Sequence, residues 1–93
     1  MHSVLIVFSA SDKTESPEWR DWQKLLQRLK DISPRSAAVE MLTESCWLIR
    51  ASDGLSFLGS ALVEAGKHGI QYRVLFLDAP PQWIHSEDYG KNP

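Results

Sequence analysis

The chain has 93 residues, with 10 Lys and Arg against 12 Asp and Glu, and its formal net charge is -2. The composition is 43% hydrophobic and 24% charged, which excludes the weakly hydrophobic, highly charged class of disordered chains. The charge balance provides no overall attraction for phosphate, so binding of nucleic acid would need a local basic patch. We expect a single domain over residues 1–93, with an ordered core over about 3–85 and a polar tail over 86–93.

The cysteine content and the first apolar run bear on the cellular compartment. Cys46 is the only cysteine, so the chain forms no internal disulfide and no cysteine-based zinc cluster, which fits a reducing compartment. The apolar run from Val4 to Phe8 is too short for a signal-peptide core or a bilayer-spanning helix. We therefore expect a cytoplasmic protein that does not enter a membrane.

The first predicted elements are a strand and a helix. The continuous β-branched and aromatic run from Val4 to Phe8 is typical of a strand buried on both faces. Ser16-Pro17-Glu18 predicts a helix start, because the serine caps free amides, the proline suits the first turn and the glutamate complements the helix dipole. Ser33-Pro34 predicts its end. One apolar stripe runs along this helix: Trp19, Trp22, Leu25, Leu26, Leu29 and Ile32.

The second half of the chain predicts a hairpin, a helix and a last strand. Strand-like segments lie at Ala38 to Leu42 and Cys46 to Arg50, with a polar turn between them. Ser52-Asp53-Gly54 offers a cap for the second helix, and Gly69 a left-handed stop after it. The last strand is predicted from Ile70 to Leu77. The apolar stripe predicted for the second helix is Leu55, Leu58, Leu62 and Ala65.

The order strand-helix-strand-strand-helix-strand predicts an α+β, ferredoxin-like fold, which is a four-stranded antiparallel sheet with two helices on one face. Strands one and three are central in that fold, and they are the two most hydrophobic runs here. Apolar residues must then point to the open sheet face, and such a face usually meets a partner.

This open face leads us to expect a homodimer, formed through the sheet face or the edge of the last strand. The segment from Gln82 to Tyr89 is a candidate for crossing to the other subunit. The expected interface residues are Leu5, Val7, Leu75, Leu77, Trp83 and Ile84.

Polar residues after the first predicted strand offer an alternative function. Asp12, with Ser9 and Ser11, could meet its counterpart across a dimer axis and bind Mg²⁺ or Mn²⁺ through oxygen ligands. Arg50 and Arg73 would then contact phosphates of a nucleic acid. Turn-forming serine and aspartate side chains are the simpler interpretation of the first three residues.

Histidine, glycine, cysteine and tryptophan residues often form functional sites, but in this sequence most of them are predicted to have structural roles. The three histidines have no metal-binding spacing, and the glycines match neither the Walker nor the Rossmann pattern. Cys46, at the head of a core strand, is predicted to be a small buried hydrophobe. We predict that Trp19, Trp22 and Trp47 belong to the core. Trp83 follows two prolines and is predicted to lie at an interface.

Three stretches carry a family resemblance over residues 4–85. The third predicted strand contains Ser45-Cys46-Trp47-Leu48-Ile49, the first helix contains Trp22-Gln23-Lys24-Leu25-Leu26, and the last strand ends with Val74-Leu75-Phe76-Leu77 before Trp83. This pattern resembles the small ferredoxin-fold group that includes the CRISPR-associated subunit accompanying the integrase, the VapD-type ribonucleases and their SinR-like relatives. The third-strand stretch is its most specific part.

The resemblance implies a homodimer, and in some members of the group it implies binding or cleavage of nucleic acid with an Asp at the end of the first strand. In this chain Phe8 or Ser9 holds the corresponding place, and the nearest acidic residue is Asp12. This departure argues against metal-dependent cleavage and leaves the implied fold and dimer unaffected.

Three functions are therefore open. We prefer a homodimeric interaction or regulatory module without catalysis or cofactor, because the apolar residues supply a core and an interface and no polar set converges. The rival is a metal-dependent nuclease or nucleic-acid binder. A sensor of a small metabolite at the dimer interface fits the fold equally well, but no particular residue of the sequence supports that function.

Overall fold

The structure is a computed structural model that describes residues 1–10 and 16–84. The elements in chain order are β1 (Ser3–Phe8), α1 (Pro17–Ile32), β2 (Val39–Thr43), β3 (Cys46–Arg50), α2 (Leu55–Lys67) and β4 (Tyr72–Leu77). The strands form one antiparallel sheet in the order β2-β3-β1-β4. The predicted ferredoxin-like α+β fold is confirmed, with β1 and β3 in the centre.

Helix α1 begins and ends where the sequence predicts. The Trp19 N–H donates to Ser16 Oγ at 3.0 Å, which satisfies one of the free amides of the first turn. At the other end Ser33 caps the helix in an extended conformation. The residues buried against the sheet are Trp22, Leu25, Leu26 and Leu29. Trp19, predicted as a core residue, is only half-buried, because it lies in the first turn, outside the buried cluster.

The core face of α2 differs from the predicted leucine stripe. Phe57, Ala61 and Ala65 are buried, Leu58 and Leu62 are only partly buried, and Leu55 is exposed. Phe57 stacks on Trp47 of β3 with ring centroids 5.6 Å apart. A large aromatic contact of this kind outweighs the burial of an aliphatic side chain at the helix start, so α2 is rotated toward Phe57.

The loop before α2 also differs from the prediction. The helix has Gly54 at its cap position and no side-chain cap, because Asp53 pairs with Arg50 instead.

The end of α2 sets the start of the last strand. Gly69 has a φ of 65°, and its N–H donates to Gly66 O at 3.2 Å, while the Ile70 N–H donates to Ala65 O at 2.9 Å. This pair of bonds is a Schellman motif, so the predicted left-handed stop is confirmed. Because the amide of Ile70 closes the helix, β4 begins at Tyr72, two residues later than predicted.

The core lies between the two helices and one face of the sheet. Alternate residues of the central strands supply the sheet side of this core, namely Val4, Ile6, Phe8, Trp47 and Ile49. Phe8 packs on Trp22 of α1 at a centroid distance of 5.9 Å. Across residues 1–10 and 16–84, neither helix has the length and apolar character needed to cross a bilayer.

Candidate interaction surface

The sheet face opposite the helices carries rows of side chains that the strand register aligns. Leu5 of β1 lies between Leu48 of β3 and Leu75 of β4, so three leucines cross the sheet in one row. The flanking rows are Cys46-Val7-Arg73 and Arg50-Ser3-Leu77. Because side chains alternate along a strand and Val4, Ile6 and Phe8 face the helices, these three rows share the open face.

The predicted interface residues differ in exposure. Leu75 is 56% exposed and Val7 40%, whereas Leu5 and Leu77 are half-buried. All four lie on the open face in adjacent rows, as the predicted alternation of β4 requires. Their role in an interface stays a prediction.

Strand β4 is exposed on its helix side as well, which its alternating apolar pattern does not indicate. Phe76 and Tyr72 alternate with Leu75 and therefore point to the helix side, yet they are 63% and 42% exposed. The reason is that the helices pack on the central strands: α2 contacts β3, and Trp22 of α1 packs on Phe8 of β1. The signal that could have indicated this exposure was the edge position of the last strand in the predicted fold.

The backbone of β4 has an open edge. The Ser9 N–H donates to Gln71 O at 2.8 Å, so the backbone groups of Gln71 point toward β1. Since these directions alternate in an antiparallel sheet, the N–H and C=O groups of Tyr72, Val74 and Phe76 point away from β1. No strand among residues 1–10 and 16–84 lies beyond β4, so these groups form a free strand edge.

Trp83 and Ile84 follow this edge strand. They are 53% and 74% exposed, which is unusual for side chains of their size and apolar character. They have the exposure that an interface role needs. Of the segment from Gln82 to Tyr89 that was predicted to cross to another subunit, residues 82–84 are described and the rest lies outside the described residues.

The alternative nucleic-acid site is described only in part. Ser9 is exposed at the end of β1, whereas Ser11 and Asp12 lie outside the described residues. Arg50 and Arg73 do share the open face, but their rows are four residues apart along β1, a separation of about 13 Å.

Arg50 is also already paired. Its Nε donates to Asp53 Oδ1 at 2.7 Å, and its Nη2 donates to Asp53 Oδ2. This hydrogen bond and the charge of Asp53 raise the pKa of Arg50, and the same hydrogen bond lowers the pKa of Asp53. A phosphate at Arg50 would therefore compete with an aspartate.

Cys46 and the cavities offer little for catalysis or ligand binding. Cys46 is half-buried, and this burial raises the pKa of its thiol, which disfavours the nucleophilic thiolate. A cavity of about 140 Å³ lies beside His2, Glu40 and Arg50, and one of about 190 Å³ beside Asp53 and Phe57. Both are smaller than usual ligand pockets. Within residues 1–10 and 16–84, no three His, Cys, Asp or Glu side chains are grouped to hold a metal ion.

Comparisons of this chain with family models, curated proteins and solved structures give no match. The resemblance to the CRISPR-associated and VapD-type group therefore stays a prediction.

Proposed function

We propose that this protein is a homodimeric interaction module without catalytic activity, and that its contact surface is formed by β4 and the adjoining open sheet face. The observation that carries the proposal is the exposure of β4 on both faces. Phe76 and Leu75 point in opposite directions, and both are more than half exposed. Apolar side chains on both sides of an edge strand are normally covered by a partner.

The surface next to β4 supports the same proposal. Val7 extends the exposed apolar area onto β1, and the leucine row of Leu5, Leu48 and Leu75 continues it across the sheet. Arg73 is the only charged side chain within β4. An apolar centre with few charges is the usual composition of the buried part of an interface.

The nucleic-acid alternative receives less support from the same surface. One of its two arginines is bound to Asp53, and the other lies two strands across and four residues along the sheet, about 16 Å away. The formal net charge of -2 adds no general attraction for phosphate.

Light scattering coupled to size exclusion tests the proposal, over a range of concentrations from micromolar upward. The wild-type protein should be a dimer, and Leu75→Lys should be a monomer because the substitution places a positive charge in the contact. Val63→Lys is the matched control, since Val63 on α2 is 59% exposed, much like Leu75. A wild-type monomer at all concentrations overturns the proposal, and so does an equal effect of the two variants.

The rival function has its own test. Labelled DNA and RNA, single- and double-stranded, are mixed with the protein at low salt, with Mg²⁺, with Mn²⁺ or with a chelator. The proposal expects no cleavage under any of these conditions. Metal-dependent cleavage that disappears in Asp12→Ala would replace the proposal by the nuclease alternative.

A further inference from the structure

We infer that the partner of β4 is the β4 strand of a second copy, paired antiparallel about Val74 so that one continuous sheet runs through both subunits. This inference rests on the proposed function and specifies how the dimer is built. It follows from the backbone groups of the free edge, from the side chains beside them and from the other edge of the sheet.

The free edge limits which residues of the two strands can face each other. Tyr72, Val74 and Phe76 direct their N–H and C=O groups outward. In an antiparallel pair, residues that exchange both hydrogen bonds must both direct their backbone groups toward the other strand. Symmetric pairing within β4 therefore has three possible centres, which are Arg73, Val74 and Leu75.

Only the register centred on Val74 pairs every outward group within the strand. In it Val74 faces the partner's Val74, and Tyr72 faces the partner's Phe76. A register centred on Leu75 leaves Tyr72 opposite the partner's Asp78, beyond the end of β4. A register centred on Arg73 leaves Phe76 opposite the partner's Ile70, which is occupied in closing α2.

The side chains favour the same register. Centring on Arg73 would place this residue directly opposite the partner's Arg73, and like charges at that position are destabilising. Centring on Val74 instead pairs two exposed aromatic rings, Tyr72 and the partner's Phe76, on the helix side. On the open face it places the aliphatic stem of Arg73 over the partner's Leu75.

The other edge of the sheet explains why assembly would stop at two copies. Strand β2 forms that edge, and its register with β3 shifts between Met41 and Thr43. Glu40 adds an exposed charge to the same strand. An irregular, charged edge does not accept another strand, whereas β4 is regular and mostly apolar. Pairing of like edges therefore closes a dimer and leaves no second edge for a filament.

Disulfide formation between single cysteines tests this register in a Cys46→Ser background. Oxidised glutathione takes up the two thiol hydrogens and the electrons as each disulfide forms. Val74→Cys should link to itself, because the Cα atoms of a hydrogen-bonded pair lie about 5.5 Å apart. Tyr72→Cys alone and Phe76→Cys alone should not link, since about 13 Å separates each from its copy. A mixture of these two variants should give the heterodimeric disulfide.

The outcomes separate this inference from the proposed function. A wild-type monomer overturns both. A wild-type dimer in which Leu5→Cys links, while Val74→Cys and the mixture do not, overturns the edge pairing and leaves a dimer through the sheet face. Links between Tyr72→Cys and Val74→Cys, or between Val74→Cys and Phe76→Cys, in preference to the expected pair, overturn the register.

Amide hydrogen exchange of the wild-type protein gives an independent test that needs no substitution. Raising the protein concentration should slow exchange at Tyr72, Val74 and Phe76, whose amides face no strand among residues 1–10 and 16–84 of a single copy. The amides of Arg73 and Leu75 already face β1, so their exchange should depend much less on concentration. Uniform slowing along β4, or no slowing at the three outward amides, contradicts the inference.

Discussion

A methyl group on the α-carbon of Gly54 would lie 2.6 Å from Cγ2 of Ile49. It would also lie 2.7 Å from the carbonyl oxygen of Arg50 and 2.8 Å from that of Ala38. The φ of Gly54 is -112°, which any residue adopts, so the need for glycine here comes from space and not from backbone conformation. The segments just before β2 and α2 approach the end of β3 at this point. Two of the three contacting atoms are backbone carbonyl oxygens, which cannot move aside as a side chain can.

Gly54→Ala should therefore lower the free energy of unfolding by about 1–3 kcal/mol, the usual cost of overpacking. Gly59→Ala is the matched control, because Gly59 lies within α2 and, apart from its chain neighbours and the adjacent helix backbone, no atom lies within 4 Å of the added methyl group. That variant should gain about 0.5–1 kcal/mol from the better helix propensity of alanine. Urea unfolding of both variants measures the difference, and an equal or opposite order of the two stabilities contradicts this account.

Much of the fold could be predicted because local patterns and packing agree. Ser16-Pro17 begins α1, Gly69 ends α2, and the apolar run of β1 lies in the centre of the sheet as its composition suggests. Each of these features is set by residues close together in the sequence.

The face of α2 and the exposure of β4 could not be predicted in the same way. Leu55, Leu58 and Leu62 form a helical stripe, but so do Phe57 and Ala61, and alanine carries a weak hydrophobic signal. The choice between the stripes depends on the stacking of Phe57 with Trp47, a contact between distant parts of the chain. The exposure of Phe76 likewise depends on where the helices lie over the sheet.

Cys46 should react slowly with iodoacetamide in the folded protein. Burial raises the pKa of its thiol, so at a given pH less of the reactive thiolate is present than in the unfolded chain. The rate of alkylation, followed by mass spectrometry, should rise when the same protein is unfolded in urea at the same pH. Equal rates in the two states would show that the thiol is freely accessible in the fold.

The pair formed by Arg50 and Asp53 should make stability depend on acidity. The pKa of Asp53 is lowered in the folded state, mainly by its hydrogen bond from Arg50. Its contribution to stability is therefore present above the pKa of the unfolded chain and is lost as the pH falls through the folded-state pKa. Asp53→Asn should be less stable than the wild type near neutral pH, and the difference should vanish in acid.

A double-mutant cycle isolates this contribution. In an Arg50→Gln background, Asp53→Asn should change stability much less, because the hydrogen bond that it removes is already absent. Thermal unfolding at several pH values gives the required comparison. An unchanged effect of Asp53→Asn in this background would assign the pH dependence to other groups.

Glu64 forms an ion pair between α1 and α2, and it should contribute more to the free energy of unfolding than Glu44 does. Its carboxylate lies 3.4 Å from Arg28 of α1 and 3.6 Å from Lys67, and its side chain is 13% exposed. Glu64→Gln should cost about 0.5–1 kcal/mol at low salt and less at high salt. Glu44→Gln is the control, because Glu44 is 64% exposed and lies 3.8 Å from Lys30. A larger loss for Glu44→Gln in urea unfolding contradicts this ranking.

Trp83 should contribute to dimer formation more than to the stability of a single subunit. Its side chain is 53% exposed, whereas Trp22 and Trp47 are nearly fully buried. Trp83→Ala should therefore leave the monomer fold intact and weaken dimerisation, because a large aromatic side chain at an interface often supplies much of the binding energy. Sedimentation at a series of concentrations measures the dissociation constant. Met41→Ala, which removes a 45% exposed apolar side chain from the opposite sheet edge, should leave that constant unchanged. If the two variants dimerise equally well, the segment around Trp83 lies outside the contact.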